Sequence, residues 1–436
     1  MTHGAMNCRP HHGGLAAKGL ITALTGVALL DLGEIYGASI SNVSHLITTR
    51  SLGGLLGSLL GGMLYDTYNT QITSILMLLL TSVTVLMVPL CPLLLVAHFM
   101  AFFMGLSLGA FGTGANVWII NMWPGNSSPA LHIFHFAFTV GLLVAPLIAG
   151  PFLSPGTSAI AVGTSTHFHD EVSNLDYELE PSPNATFNES FRVATSDAET
   201  TDYYNSYEGT TVYYAFGIAS AFYLFLVLSM TSTYCIDKSD FKRKAMRGAQ
   251  RDPDLTGPSE RLRMHLRRAR MHDVSDVAHL CSRERLLQAG RGPGRRRVFF
   301  FFAASRLVAA IVALKVSSRL TLIFTHGVLV TTALVMTVWR SENALVLWVG
   351  SAMMGFGQGP VKAAIVAWTA EYITISNKMM SVVMVTGSIG NLAPALLVGQ
   401  FVESDAASFL YVSLGAVLLC AVMFLGMYAY ITRRRT

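Results

Sequence analysis

Charge is what this 436-residue chain has least of. Asp, Glu, Lys and Arg make up 13% of it, where soluble domains carry about 25%. Against that deficit stand 52% hydrophobic residues and a mean hydropathy of +0.49, which together argue for a membrane-embedded body. Cysteine is equally uninformative as a framework. Cys8, Cys91, Cys235, Cys281 and Cys420 show no C-x-x-C or metal-ligand spacing, so neither a disulfide scaffold nor a metal site is indicated. Neither a Gly-Lys-Ser/Thr phosphate loop nor an H-E-x-x-H helix occurs, and the chain does not read as an enzyme. The N-terminus lacks the A-x-A exit of a cleavable signal, and its first apolar run is long enough to be a span.

What is present is a succession of apolar runs of the roughly 20 residues that a bilayer requires. Spans are expected at Ala17–Ala38, Leu46–Tyr65, Ile72–Pro89, Leu93–Trp118, Ile133–Leu153 and Val212–Cys235. A second set follows at Val298–Val316, Leu320–Trp339, Ala344–Trp368, Met380–Val402 and Phe409–Ile431. The expected division is a cytoplasmic tail 1–16, a six-helix bundle 17–235, a basic loop 236–297 and an incomplete five-helix bundle 298–432. Between Leu153 and Thr210 there are ten Asp/Glu and one Arg, whereas Ile236 to Arg297 holds seventeen Lys/Arg and eight Asp/Glu. By the positive-inside rule the acidic loop (153–211) faces outside and the basic loop faces the cytoplasm. Arg9 and Lys18 place the N-terminus inside. Asn184 and Asn188 lie in N-x-S/T sequons of the acidic loop and are expected to carry glycans. The basic charge is read as a topology signal and as contact with anionic lipid, not as a nucleic-acid surface.

Two runs repeat one pattern 245 positions apart. Gly105-x6-Gly112-x-Gly114, with Phe111 inside and Trp123 nine residues on, matches Gly350-x6-Gly357-x-Gly359, with Phe356 inside and Trp368 nine residues on. Small residues let helices approach closely, and duplicated halves frame a substrate path between them. The Gly105 run is fourth in its half and the Gly350 run third in the other, and the orientation parity of the second half fails by one helix. A twelve-helix design without its seventh helix follows.

The motifs resemble a known group. Gly61-Gly-Met-Leu-Tyr-Asp66 is similar to the cytoplasmic turn of the major facilitator superfamily. Gly112-Thr-Gly-Ala-Asn116, His135-Phe-Ala-Phe-x-x-Gly141-x-x-x-Ala-Pro146, Ser305-Arg306, Ala370-Glu371-Tyr-Ile and Gly387-x-x-Gly390-x-x-x-Pro394 together resemble the sodium-dependent glucose transporter 1 group, related to fucose permeases. The resemblance implies an all-α fold of two pseudo-symmetric bundles in the plasma membrane. It also implies secondary transport of a small polar solute, a monosaccharide such as glucose, with sodium as the candidate coupling ion and no other cofactor. The competing readings are a carrier of another small solute and a truncated isoform that does not transport.

Several residues are candidates for this chemistry. Asp31 and Glu34, three apart on one face of the first helix, can hold sodium or a proton, or merely end the helix in the headgroup zone. Asn116, Gln358 and Asn391 carry amides that both donate and accept, which suits sugar hydroxyls. Lys362 either snorkels to the inner surface or pairs with an acid such as Asp31. His132 and His135 share a face but lack a third metal ligand, and Trp123 and Trp368 suit an interfacial belt. Arg50, expected at the outer start of the second helix, and Asp66, at its inner end, are read as gating machinery. The same structural role is given to Gly112, Gly114, Gly357, Gly359, Pro146 and Pro394.

Overall fold

The computed structural model describes residues 2–123, 127–154, 210–236, 238, 293–339, 344–388 and 408–433. The described elements of the first half are α1 (Thr2–Val27), α2 (Leu29–Tyr36), α3 (Ile40–Thr67), α4 (Thr70–Leu90), α5 (Leu94–Met122), α6 (Ser128–Ala149) with a short 3-10 turn Gly150–Phe152, and α7 (Tyr213–Ile236). The second half contributes α8 (Pro293–Val312), α9 (Ser318–Val338), α10 (Ala344–Ala370), α11 (377–388) and α12 (Ser408–Arg433). Asn184, Asn188, Asn391 and Pro394 lie outside the described residues.

Local chemistry sets several boundaries. The Ser39 side chain accepts from Asn42 N at the start of α3, and Asn69 Oδ1 accepts from Gln71 N at 2.9 Å at the start of α4, each satisfying a helix N-terminal donor. Gly37, at φ 55°, ends α2 in the left-handed region that glycine enters without steric cost.

The first expected span is in fact two helices, bent by 62° at Ala28. It also starts earlier than expected. The segment 1–16, expected as a cytoplasmic tail, is helical from Thr2, and His11 and Leu15 are buried. The physical reason is packing: the His11 ring lies 4.3 Å from that of Trp118 and stacks at 5.9 Å on Phe111, so these turns of α1 rest on α5. Hydropathy alone stops the helix at the polar Arg9-Pro-His-His run.

In α3 the exposed face is apolar and the buried face mostly small. Leu52, Leu56, Leu59, Leu60 and Met63 are exposed, whereas Gly53, Gly57, Ser58, Gly61 and Gly62 are buried. That inversion is the pattern of a helix facing lipid on one side and other helices on the other. Six described helices are long and apolar enough to cross a membrane, or seven if the bent pair counts as one. α3, at 28 residues, is not among them, because it spends much of its length on small and polar interior residues.

The two halves repeat one another in contacts as well as in sequence. α3 packs on α5 as α8 packs on α10. α4 packs on α5 and α7 as α9 packs on α10 and α12. α8 therefore holds the second position of its half, α9 the third and α10 the fourth. Residues 239–292, where the sequence expects no span, lie outside the described residues; in the first half α1 packs on α6 and α7.

Glycine makes the closest crossings. A Cβ at Gly53 or Gly57 would collide with the carbonyl oxygens of Phe102 or Leu106, and one at Gly105 with that of Arg50. Gly19 and Gly141 do the same for α1 and α6 against Phe138 and Ala16. Interhelical hydroxyl bonds add to these contacts: Thr81 to Ser107 at 2.7 Å, and Ser82 to Ser220 at 3.0 Å. The halves meet where α6 packs on α8 and α10.

Candidate functional site

The seam between the halves contains a cavity of about 200 Å³. Its wall is drawn from α1, α3, α5 and α6 of one half and α8, α10 and α11 of the other. α5 presents Gly112 and Asn116, and α10 presents Lys362 and Val366 across from them. The duplicated glycine-rich helices thus share one central space.

Asn116 is buried. Its Nδ2 donates to Gly112 O at 2.7 Å, and its Oδ1 has no partner among the described residues. His135 also lines the cavity, with Nε2 buried and unpartnered there. His132, one turn back, is buried outside the lining. Neither belongs to a cluster of three metal-ligating side chains among the described residues.

Gln358 does not line the cavity, although it sits half-buried in the same helix. Its flanking glycines are packing positions: Gly357 abuts Leu329 and Gly359 abuts Ser305. Gly114 faces the Tyr65 ring, while Gly112 lies beside the Lys18 ammonium. Pro146 lies inside α6, where its carbonyl accepts from Gly150 N. Trp368, expected at an interfacial belt, is fully buried in the second-half core, with its ring 5.6 Å from that of Phe424. Its repeat partner Trp123 is half-buried just past α5.

Three cations sit differently from expectation. Lys18 is not a membrane-edge marker: it lines the cavity, and its Nζ donates to Leu108 O at 3.3 Å. Arg50 does not begin the second helix. α3 starts at Ile40, which carries Arg50 nearly three turns inward, to the cavity wall. Lys362 lines the cavity instead of snorkelling to the surface.

Arg306 was legible in the sequence only as an echo of Arg50. It is 3% exposed, a burial that a guanidinium tolerates only with partners. Nη1 donates to His135 O at 2.8 Å and to Thr139 Oγ1 at 2.7 Å, while Nε donates to Gly359 O at 3.2 Å. The guanidinium carbon lies over the Phe302 ring, 4.2 Å from its centroid, a cation–π distance. One side chain thus joins α8, α6 and α10. The echo is not in strict register: Gly114 packs on Tyr65 while its repeat mate Gly359 packs on Ser305.

Asp31 and Glu34 are placed outside the cavity lining. Asp31 is 1% exposed, and its Oδ1 accepts from Ser154 N, Ser154 Oγ and Thr210 Oγ1, each at 2.9 Å. Ser154 Oγ also reaches Glu34 Oε2 at 3.2 Å. The pair therefore ties α2 to both ends of the acidic loop, with Asp31 Oδ2 buried and unpartnered among the described residues. At the opposite end of the molecule, Asn377 Nδ2 donates to Asp66 Oδ1 at 2.9 Å, and Ser318 Oγ to Ser128 Oγ at 3.2 Å. Gly62 abuts Ser381 beside them.

This arrangement of two repeated bundles around a seam is found in solved transporters. The E. coli fucose:proton symporter FucP superposes with a TM-score of 0.65 at 13% identity, covering 98% of both chains. The proton:xylose symporter XylE, bound to 6-bromo-6-deoxy-D-glucose, superposes at 0.67 and 11% identity, covering 99% of this chain and 96% of its own. The fold is that of the major facilitator superfamily. No family model matches the chain. In sequence, the major facilitator fold seen here is accompanied by similarity to the human sodium-dependent glucose transporter 1, 24% identical over 95% of this chain and 77% of that protein. The mouse sodium-dependent glucose transporter 1A is 23% identical over 95% and 94%, and the mouse major facilitator superfamily domain-containing protein 4A is 23% identical over 93% and 86%.

Proposed function

We propose that the chain is a secondary active transporter of a monosaccharide such as glucose, coupled to sodium and working by alternating access in the plasma membrane with its N-terminus in the cytoplasm. The observation that carries this reading is the central cavity itself, built by the two repeated glycine-rich helices at the seam of the halves, where carriers of this architecture place their solute. The names of the relatives supply the solute class and the ion. Asn116, with an unmatched carbonyl at the wall, is the residue assigned to a sugar hydroxyl, and Asp31 with Glu34 is the pair assigned to sodium. No enzymatic step is part of this reading.

On it, the Asp66–Asn377 and Ser128–Ser318 contacts close the cytoplasmic end and the solute enters from the other. The test is uptake of radiolabelled hexose by cells making the chain, with sodium present or replaced by choline. Sodium-stimulated uptake above that of untransfected cells is expected, and uptake equal to background would end the reading.

A second reading has the sequence behind it. The orientation parity of the second half fails by one helix and the Gly350 run is third where its mate is fourth, so the chain is, on this view, a non-transporting isoform. An exon encoding a further apolar run near residue 297 in the main transcript would remove it.

A further inference from the structure

Bonds across the seam differ in kind along α6. At its cytoplasmic end Ser128 Oγ accepts from Ser318 Oγ at 3.2 Å, beside the bond of Asn377 Nδ2 to Asp66 Oδ1 at 2.9 Å. Midway along, Arg306 of α8 donates from Nη1 to His135 O at 2.8 Å and to Thr139 Oγ1 at 2.7 Å. Thr139 is the twelfth of the 22 residues of α6.

The two levels also differ in what it costs to part them. Ser128 and Asp66 are only partly buried, so water can take the place of a lost partner there. Arg306 and Thr139 are 3% and 0% exposed. Pulling a buried guanidinium from its acceptors leaves a charge uncompensated, and bonds to an ionised donor are roughly twice as strong as neutral ones. The guanidinium is fixed on its own side as well. Nε donates to Gly359 O at 3.2 Å, and Gly359, with no side chain, lets α10 close on Ser305 at that level. The fork therefore travels with the second half and its α6 acceptors with the first.

We propose that Arg306 is the pivot of the transport cycle: its bonds to α6 persist while the cytoplasmic bonds break and re-form, and the halves rock about this point. This rests on the carrier reading above and adds which contact endures. At 1.5 Å per residue, about 16 Å of helix separate Ser128 from Thr139. A rotation of about 15°, the size known from other rigid-body switches, swings that end of α6 by about 4 Å. Ser128 then parts from Ser318 while Thr139 stays at the axis. Arg306 is a positioning residue, acting through α6 and not on the solute.

The test is whether the two ends open in opposition. Thr22→Cys, on the cavity wall one turn beyond Lys18, is labelled with a membrane-impermeant maleimide added from outside, and its rate is scored against the parent chain. Asp66→Ala frees the cytoplasmic end and is expected to slow that labelling five-fold or more while Arg306 is present. Arg306→Lys keeps the charge and loses the fork; the ends are then expected to open independently, with Asp66→Ala changing the rate less than two-fold. Thr139→Val removes one acceptor and is the milder second variant should the first not fold, with the slowing expected to shrink at least two-fold. Affinity for D-glucose by calorimetry is expected to stay within two-fold of the parent in both variants. Uptake turnover in proteoliposomes is expected to fall at least ten-fold in Arg306→Lys and three-fold in Thr139→Val. Labelling that Asp66→Ala leaves unchanged in the parent, ends that still oppose one another in the variants, or glucose affinity lost in step with turnover would each overturn the pivot and leave the carrier reading intact. Opposed ends in a parent chain that takes up no hexose would sink the carrier reading and leave the pivot standing.

Discussion

Asn377 and Asp66 stand 311 positions apart, and the Asn377 amide donates to the Asp66 carboxylate at 2.9 Å. The bond fastens the start of α11 to the end of α3, one half of the molecule to the other. Hydrogen bonds to charged groups contribute about 1.5–3 kcal/mol. Asp66→Ala is therefore expected to shift the balance between closed and open forms of that end by ten-fold or more. A Ser128→Cys reporter on the same end should react correspondingly faster with a membrane-impermeant maleimide in inside-out vesicles. An unchanged labelling rate would show that this contact does not hold the end shut.

Arg306 supports three elements at once through His135 O, Thr139 Oγ1 and Gly359 O. Arg306→Met keeps bulk but leaves buried acceptors unmatched, each at a cost of about 1–3 kcal/mol. A drop of several degrees in the melting temperature of the purified protein is expected, with hexose uptake reduced at least ten-fold. A variant that melts and transports like the parent would refute this role.

Asp31 has two readings that one substitution separates. Asp31→Asn keeps an oxygen acceptor for Ser154 and Thr210 but removes the charge needed by a sodium ion. Sodium stimulation of uptake is expected to vanish while sodium-free uptake persists. Equal stimulation in the variant would strip Asp31 of its coupling role and leave it as the tie between α2 and the loop ends.

The glycine crossings predict a sharp contrast. Gly105→Ala places a methyl against the Arg50 carbonyl oxygen, whereas Gly217 in α7 has open space around it. Overpacking of this kind costs about 1–3 kcal/mol, and the first substitution is expected to lower the melting temperature and the monodisperse yield. Gly217→Ala should be neutral or slightly stabilising, since alanine favours a helix by about 1 kcal/mol over glycine. Similar behaviour of the two variants would contradict the close α3–α5 approach.

The fold and the cavity were legible to different depths. The period and length of the apolar runs located the helices, because only a continuous helix satisfies its own backbone in lipid. The glycine repeat likewise pointed to α5 and α10 as partners across the seam, and to α8 as the second helix of its half. The same hydropathy reading misplaced Lys18, Arg50 and Lys362, which it treated as edge markers or a snorkelling stem. A charge near the end of an apolar run looks the same in sequence whether it faces headgroups or a cavity. The extension of α1 to Thr2 and of α3 to Ile40 carries Lys18 and Arg50 inward, and for Lys362 it is the face of α10 turned to the cavity that decides.

What the sequence by itself determined is membrane residence, the helix positions and the duplicated architecture, because burial of backbone in lipid and close helix contact impose patterns that one dimension records. Only the tertiary structure decided which polar side chains share a space. Arg50, Lys362 and Asn116 come from three helices and two halves, while Asp31, as polar as any of them, turns away to Ser154 and Thr210. Helix rotation and the crossing of the bundles set those directions, and both depend on contacts between residues far apart in the chain.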